Sequence, residues 1–361
     1  MVRSRITHSV TLKFAANFIQ QAGNRPQMPI NTESLHSNRP EDIARAAALL
    51  KQGKLVAIPT ETVYGLAANG LSADAVKGIF SAKGRPADNP LILHVASIEA
   101  AIPLWAATTR QLEIATALSA AFWPGPLSIV LKAASPVPDI VTAGLDSVAI
   151  RAPAGEAVQS ILQLCQFPLA APSANLSGRP SPTRAGHVEC TLGGRIAAIL
   201  DGGQTTIGIE STVVDLRSER PQLLRPGAIR IDDLRSIIGE VSDSRPPGNA
   251  ASPGLRHRHY QPVNISLRLA NREMIELQWA SAAGIACSQD LALELGDRRA
   301  PTWIMPDTPE PYAAVLYDRL YTMEHSGVTE VYLQRPPQTD EWRAVNDRLT
   351  RAAEAAPSVT V

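Results

Sequence analysis

The sequence predicts an α/β protein of two domains, and three observations support this interpretation. Its 361 residues are about twice the usual length of one domain. Short apolar runs, each ending in a polar or glycine-rich loop, alternate with segments of helical periodicity, as is typical of α/β domains. Between Gly239 and Pro262 the composition changes to prolines, glycines and basic residues, which indicates a linker between two domains.

The first segment with helical periodicity runs from Glu41 to Gln52, so folded sequence is predicted to begin near Pro40. A short strand follows at Leu55–Ile58, and Ala73–Ala82 is predicted as the next helix. The segment Lys83–Pro90 is too rich in glycine and proline for regular structure, so we expect a loop there.

Short strands recur along the rest of both domains. In the first domain they are predicted at Leu91–Val95, Leu127–Leu131, Val148–Arg151, Leu169–Ala171, Ile196–Leu200, Thr212–Leu216 and Gln222–Arg225. In the second they are predicted at Asn264–Leu269, Gly284–Ser288, Thr302–Met305 and Glu330–Gln334, with helices such as Tyr312–His325 between them. This alternation indicates a small parallel sheet wrapped by helices.

The composition restricts the classes of ligand. Lysine and arginine (34 together) balance aspartate and glutamate (34 together), so no global positive field would hold RNA or an anionic membrane, although a local basic cleft is compatible with this balance. Aromatic residues make up 4% of the chain, too few for the stacking platform of a single-strand binder. Small anionic ligands fit this composition better than polyanions.

Cysteine and hydropathy patterns predict a cytoplasmic protein without a membrane anchor. Cys165, Cys190 and Cys287 are far apart and match neither a disulfide framework nor a metal motif, so we interpret them as reduced core residues. No apolar run approaches the roughly 18 residues that a membrane span needs.

The predicted boundaries are an extension at residues 1–39, a first domain at 40–239, a linker at 240–262 and a second domain at 263–361. The first 32 residues carry basic side chains and no acidic one. That composition is found in organelle transit peptides, but serine is scarce and helical periodicity is poor. A disordered tail, or a true start at Met28, explains the extension better.

The candidate chemistry lies in loops that follow strand ends, because P-loop, dinucleotide-binding, zincin and serine-hydrolase motifs are absent from the sequence. Lys83 and Arg85 flank a glycine and could face one shared anion such as a triphosphate. The alternative for this pair is a solvated surface loop. Ser173 and Asn175 are also compatible with ordinary turn chemistry.

Polar residues within or beside apolar strands form a second group of candidates. His94 interrupts an apolar strand, and its alternative role is that of a satisfied core histidine. Arg151 ends the run Val148–Ile150, where an arginine can equally pair with a structural carboxylate. Ser211 and Arg225 are each compatible with surface positions at strand ends.

Taken in order, these residues resemble the threonylcarbamoyl-AMP synthase family in its long form, which joins a YrdC-type catalytic domain to a C-terminal accessory domain. The resemblance extends from about Pro40 to the C-terminus. It rests on Pro59–Leu66, Lys83–Pro86, Asn89–Leu91, His94, Trp123–Leu127, Val148–Pro153, Ala171–Gly178 and Ile209–Val214, and on the linker Ser252–Pro262. It departs mildly at Ser147, where the family often has threonine, and at His257, where a bulkier aromatic is common.

The resemblance implies a twisted mixed-sheet domain with an open cleft, followed by a smaller Rossmann-like parallel α/β domain. It implies L-threonine binding by Thr62, His94, Arg151, Ala171 and Ser211, with Arg151 on the carboxylate. It implies ATP binding by Arg85, Asn89, Ser147, Ser173, Asn175, Ser181, Arg225 and Tyr260. Lys83, Arg85 and Arg225, with Mg²⁺ on the phosphates and no protein ligand to that metal, would stabilise the charge that develops during catalysis.

The activity that the resemblance implies is synthesis of threonylcarbamoyl-AMP and pyrophosphate from L-threonine, bicarbonate and ATP. A separate transferase would then modify the tRNA adenosine next to the anticodon, with weak tRNA contact as a further expectation. The alternatives are an RNA-binding or ribosome-associated module and a carbamoyl-transferring maturation domain. The balanced charge disfavours the first, and the absence of zinc-finger cysteines disfavours the second.

Overall fold

The computed structural model describes residues 31–243 and 260–353. These residues form a large mixed sheet flanked by helices and a separate four-stranded parallel sheet, which confirms the predicted α/β class. Residues 1–30, predicted to be disordered, and residues 244–259 of the predicted linker lie outside the described residues. The predicted domain boundaries therefore stay predictions.

The large sheet contains ten strands among the described residues, in the order β1-β8-β2-β3-β7-β4-β6-β5-β9-β10. Their bounds are β1 Glu33–His36, β2 Val56–Ile58, β3 Gly65–Asn69, β4 Ile92–His94, β5 Leu127–Lys132, β6 Ser147–Arg151, β7 Leu169–Ala170, β8 Ala198–Asp201, β9 Thr212–Asp215 and β10 Gln222–Arg225. The sheet contains both parallel pairs, such as β4 with β6, and antiparallel pairs, such as β9 with β10. At one edge of the sheet, the last residues of some strands therefore lie beside the first residues of others.

Eight α-helices in the described part of this domain cover the sheet. They are α1 Pro40–Lys51, α2 Ala73–Lys83, α3 Ile98–Ala101, α4 Thr109–Phe122, α5 Asp139–Thr142, α6 Glu156–Cys165, α7 Ala185–Leu192 and α8 Ile231–Ile238. Helix α2 starts where the Ser72 side chain accepts a hydrogen bond from the Ala75 amide. It ends at Gly84, whose left-handed backbone (φ 60°) stops the helix between Lys83, its last residue, and Arg85 in the following loop.

The second sheet is entirely parallel, in the order β11-β14-β12-β13. Its elements are β11 Ser266–Ala270, α9 Arg272–Gln278, β12 Gly284–Ser288, α10 Gln289–Leu295, β13 Thr302–Met305, α11 Pro309–Glu324, β14 Glu330–Gln334 and α12 Arg343–Ala353. All four strands match the strands predicted for this domain to within two residues at each end. We call this part the C-terminal domain, and we call residues 31–243 the catalytic domain after the type of domain that they resemble.

Two strands were not predicted from the sequence. Strand β1 lies before Pro40, the predicted start of folded sequence, and pairs in parallel with β8. It is a polar edge strand in which only Leu35 is fully buried, so it carries no apolar run. Strand β3 has the sequence Gly-Leu-Ala-Ala-Asn, which is poor in strand-forming residues, and it is held by antiparallel pairing with β2 and β7.

Two of the three cysteines are buried as expected, whereas Cys190 is exposed; all three are free thiols. Cys190 lies on α7, and a position on the outward face of a helix does not require a core side chain. Within residues 31–243 and 260–353, no helix is long and apolar enough to cross a membrane.

The two domains share an apolar cluster and approach each other closely at one glycine. Val63 and Ile209 of the catalytic domain pack in the same cluster as Leu316 and Tyr317 of α11. A Cβ atom on Gly208 would lie 2.3 Å from the Ala313 carbonyl oxygen, and the glycine itself has φ +79°. A side chain at this position would therefore push the domains apart.

We predict that Gly208→Ala lowers the free energy of unfolding by about 2–4 kcal/mol, because it adds a backbone clash to the cost of a left-handed alanine. Gly203→Ala is the matched control, since Gly203 has φ +76° and open space where its Cβ would be; it should cost about 1–2 kcal/mol. Denaturant unfolding of both variants measures the difference. Equal losses of unfolding free energy in the two variants would show that the close contact between Gly208 and α11 does not affect stability.

Candidate active site

The candidate site is a pocket at the edge of the large sheet where several strands end. It is lined by Thr60, Thr62, Val63, Gly65, Arg85, Ile92, His94, Arg151, Ala171, Pro172, Ser173, Glu210, Ser211, Arg225 and Tyr260. His94 and Arg151 end the parallel strands β4 and β6 and lie opposite each other in register. Ser211 precedes β9 and Arg225 ends the antiparallel β10, so the turn between those strands brings both residues to the same edge.

All five residues predicted to bind L-threonine line this pocket: Thr62, His94, Arg151, Ala171 and Ser211. Arg151 is the centre of their contacts. Its Nη1 donates to Thr62 Oγ1 (2.9 Å) and its Nε donates to the Gly125 carbonyl (3.0 Å). Its Nη2 lies 2.6 Å from a carboxylate oxygen of Glu61. Both alternatives considered for Arg151 therefore apply, since it pairs with a carboxylate and also faces the pocket.

His94 is a neutral imidazole within this group. Burial, together with the positive charge of Arg151, lowers the pKa of His94 to about 3. At neutral pH the residue therefore adds a polar surface and no charge to the pocket. Arg151 and Glu61 carry the charges on this side.

Of the residues predicted to bind ATP, Arg85, Ser173, Arg225 and Tyr260 line the same pocket. Asn89, Ser147, Asn175 and Ser181 are buried but do not belong to the lining, and neither does Lys83, which was predicted to be catalytic. The predicted residues therefore fall into two groups, one that lines the pocket and one that is buried outside the lining. We call the second group the supporting layer.

Lys83 belongs to the supporting layer. Its ammonium donates to the backbone carbonyls of Ser173 and Asn175, at 2.5 Å for the second. Burial and the nearby Arg85 hold the pKa of Lys83 well below its usual range. The Asn175 amide in turn donates to the carbonyls of Leu176 (2.8 Å) and Arg179 (2.9 Å). Lys83 therefore fixes the loop that presents Ser173.

The two arginines of the nucleotide side are oriented by backbone carbonyls. Arg85 donates through Nε to the Asn89 carbonyl (3.1 Å) and through Nη2 to the Pro90 carbonyl (2.8 Å). Arg225 donates through Nε to the Ser211 carbonyl (3.0 Å) and through Nη2 to Ser211 Oγ (3.0 Å). Burial lowers the pKa of Arg85 to about 10, so the guanidinium keeps its charge at neutral pH. Both are fixed cations that face an anion-sized space.

Two carboxylates of the site were not among the predicted residues. Glu61 pairs with Arg151, as described above. Glu210 lines the pocket and accepts hydrogen bonds from Ser181 Oγ (2.6 Å), the Tyr317 hydroxyl (3.0 Å) and Arg348 Nε (2.9 Å). Burial raises the pKa of this carboxyl, but the charges of Arg348 and Arg225 outweigh it and hold the pKa at about 2. The available signal in the sequence was that Glu210 directly precedes Ser211 within the segment Ile209–Val214.

The described residues contain no group of three or more His, Cys, Asp and Glu side chains placed to hold a metal ion. The charged residues of the pocket lining are Arg85, Arg151, Arg225 and Glu210, and Glu61 pairs with Arg151 beside the lining. Three fixed cations around one space can hold a ligand that carries a carboxylate and phosphates.

Comparisons with known proteins agree with this arrangement. A family model described as telomere recombination, covering Sua5, YciO and YrdC proteins, matches residues 48–227. A second model, described as the threonylcarbamoyl-AMP synthase C-terminal domain, matches residues 229–354.

Curated relatives match over most of both chains. Threonylcarbamoyl-AMP synthase from Pyrococcus abyssi is 40% identical over 324 residues, which cover 85% of this chain and 93% of the relative. Threonylcarbamoyl-AMP synthase from Bacillus subtilis is 40% identical over 344 residues, covering 89% and 95%. The crystal structure of P. abyssi Sua5 complexed with L-threonine aligns with a TM-score of 0.80 at 38% identity, over 89% of this chain and 97% of that one. With both domains matched and the pocket arranged as described, this chain belongs to the threonylcarbamoyl-AMP synthase family.

Proposed function

We propose that this chain forms threonylcarbamoyl-AMP and pyrophosphate from L-threonine, bicarbonate and ATP. The observation that carries the proposal is the convergence of Arg85, Arg151 and Arg225 on one pocket, together with the hydroxyls of Thr62 and Ser211. Each substrate is an anion or carries a carboxylate, and the reaction gathers their charges in one place. Fixed guanidinium groups meet that requirement because they do not need to reorganise as charge develops.

L-Threonine occupies the side of the pocket formed by Thr62, His94, Arg151, Ala171 and Ser211. Arg151 binds the amino-acid carboxylate, and Glu61, 2.6 Å from Arg151, offers the opposite charge to the amino group. The solved relative from P. abyssi was crystallised with L-threonine, which supports a threonine site in this fold. The paired charges match the two ends of a zwitterion.

ATP occupies the other side, where Arg85, Ser173, Arg225 and Tyr260 line the pocket. Asn89, Ser147, Asn175 and Ser181 support this side from behind, and Lys83 holds the loop of Ser173. ATP enters as its Mg²⁺ complex, with the metal held by phosphate oxygens. Arg85 and Arg225 then share the negative charge of the triphosphate with that metal.

The chemistry proceeds in two steps. The ammonium group of threonine first loses a proton to solvent, the resulting amine forms a carbon–nitrogen bond with bicarbonate carbon, water is lost, and a carbamate results. A carbamate oxygen then attacks the α-phosphorus of ATP, the bond from that phosphorus to the bridging oxygen breaks, and pyrophosphate leaves with the electron pair. The protein positions the reactants and stabilises the charge, and no covalent enzyme intermediate is required.

The product is a reactive mixed anhydride, so it needs an acceptor. A separate transferase would pass the threonylcarbamoyl group to the tRNA adenosine next to the anticodon, and the cytoplasmic location and weak tRNA contact stay predictions of the sequence. The RNA-binding alternative lacks support, because the cations described above are buried in a pocket and do not form a surface stripe.

We predict that the purified protein releases pyrophosphate when supplied with MgATP, bicarbonate and L-threonine. Omission of threonine or of bicarbonate should reduce the rate to background, because the attacking carbamate cannot form. A coupled pyrophosphate assay measures the rate. Undiminished release without threonine would rule out the proposed reaction.

We predict that Arg85→Ala and Arg151→Ala fail in different ways. Arg85→Ala should raise the dissociation constant for ATP by tenfold or more with little effect on L-threonine, and Arg151→Ala should do the reverse, because a lost charge-assisted contact costs about 1.5–3 kcal/mol. Calorimetric titration with each ligand separates the two effects. Arg110→Ala, on the exposed face of α4, is the matched control. Equal losses for both ligands in both variants would contradict the assigned sides.

We predict that His94 makes the stability fall as the pH drops below 6.5. The unfolded chain takes up a proton near pH 6.5, whereas native His94 does so only near pH 3. The contribution of neutral His94 to the free energy of unfolding is therefore complete above pH 6.5. It is lost as the pH falls towards 3, by at most about 1.4 kcal/mol per pH unit. Denaturant unfolding between pH 7 and 5 should show a shallower pH dependence in His94→Gln than in His36→Gln, a control at an exposed histidine. Identical slopes would contradict the neutral state of His94.

A further inference from the structure

We propose that Arg348 of the C-terminal domain is a positioning residue for the nucleotide side of the pocket, acting through Glu210 and Tyr260. The inference rests on the proposed function in assigning that side to ATP. Arg348 was not among the residues predicted from the sequence, and those predicted residues, apart from Tyr260, belong to the catalytic domain.

Arg348 lies on α12 and is completely buried. Its Nε donates to the Glu210 carboxylate (2.9 Å), and its Nη1 donates to the Pro226 carbonyl (2.9 Å). Glu210 directly precedes Ser211, and Pro226 directly follows Arg225. One guanidinium from the C-terminal domain thus holds the two chain segments that present the Ser211–Arg225 contact to the pocket.

Tyr260 is held by the same group of residues. The Arg348 guanidinium carbon lies 5.9 Å from the centre of the Tyr260 ring, and the Tyr317 ring lies 5.4 Å from it. The Tyr260 backbone has φ +69°, which is unfavourable for a side chain of this size and therefore needs packing to maintain it. Arg348 and Tyr317 provide that packing on one side, while Tyr260 faces the pocket on the other.

The charge of Glu210 explains why a cation is required at this position. Glu210 lines the same pocket as Arg85 and Arg225, where an unbalanced carboxylate would repel a triphosphate. Arg348 balances that charge within hydrogen-bonding distance, and Tyr317 donates a further hydrogen bond. After loss of Arg348, Arg225 would still balance the buried Glu210 carboxylate, and less of the charge of Arg225 would then be available to the nucleotide. The threonine side shares Ser211 with this arrangement, but its charged contact is Arg151, which Thr62 and the Gly125 carbonyl hold in place.

The test compares Arg348→Met with the double variant Arg348→Met/Glu210→Gln in the full-length chain, using calorimetric titration with MgATP and with L-threonine. Arg348→Met should weaken MgATP binding at least tenfold and L-threonine binding less than threefold. The double variant should recover most of the MgATP affinity, because Glu210→Gln removes the carboxylate charge that Arg348 no longer balances. Arg343→Met is the matched control, since Arg343 begins the same helix and pairs with Asp243 of the catalytic domain outside the pocket lining; it should change MgATP affinity less than twofold.

The proposal is overturned if folded Arg348→Met binds MgATP as tightly as Arg343→Met does, or if Glu210→Gln restores nothing. Should Arg348→Met fail to fold, Tyr317→Phe removes one hydrogen bond to Glu210 and keeps the ring. It should weaken MgATP binding about threefold with L-threonine binding unchanged, and an unaltered MgATP affinity would overturn the proposal. These experiments measure binding and not catalysis. If the unsubstituted chain binds MgATP but releases no threonine-dependent pyrophosphate, that result contradicts the proposed function and not the role of Arg348.

Discussion

Glu210 is a buried carboxylate that faces the pocket, and its charge has to be balanced from both domains at once. A carboxylate with 8% of its surface exposed has lost most of its water, so hydrogen-bond donors and cations must replace that water. Ser181 provides a donor from the catalytic domain, whereas Tyr317 and Arg348 reach it from the C-terminal domain. Arg348 also donates to the Pro226 carbonyl, next to Arg225, and lies near the Tyr260 ring.

Within the catalytic domain, backbone carbonyls orient two cations of the pocket. Its mixed sheet brings strand ends of both directions to one edge, and backbone carbonyls of the adjoining loops orient Arg85 and Arg225. Lys83 adds no side chain to the lining but ties the loop of Ser173 to the end of α2. A pocket built in this way is ready for an anionic transition state without large side-chain movements, which is the condition for electrostatic stabilisation.

The sequence predicted the fold class and most strands, because buried strands appear as apolar runs that end in polar loops. It did not predict β1 or β3, since a polar edge strand and a glycine- and alanine-rich strand carry no such run. Ordered motifs indicated which loops hold the site, yet the partners of the charged residues depend on the folded chain. Arg348 and Glu210 are 138 residues apart, so no local pattern could have paired them. For the same reason the sequence could not decide which predicted residues face the pocket and which, like Lys83, support it.

The proposed reaction joins threonine, bicarbonate carbon and the α-phosphate of ATP in one product. Mass spectrometry of the reaction mixture after incubation with MgATP, L-threonine and ¹³C-labelled bicarbonate detects that product. We expect a compound that contains AMP, threonine and a single labelled carbon, formed together with pyrophosphate. Release of AMP and pyrophosphate with no labelled carbon bound to threonine would contradict it.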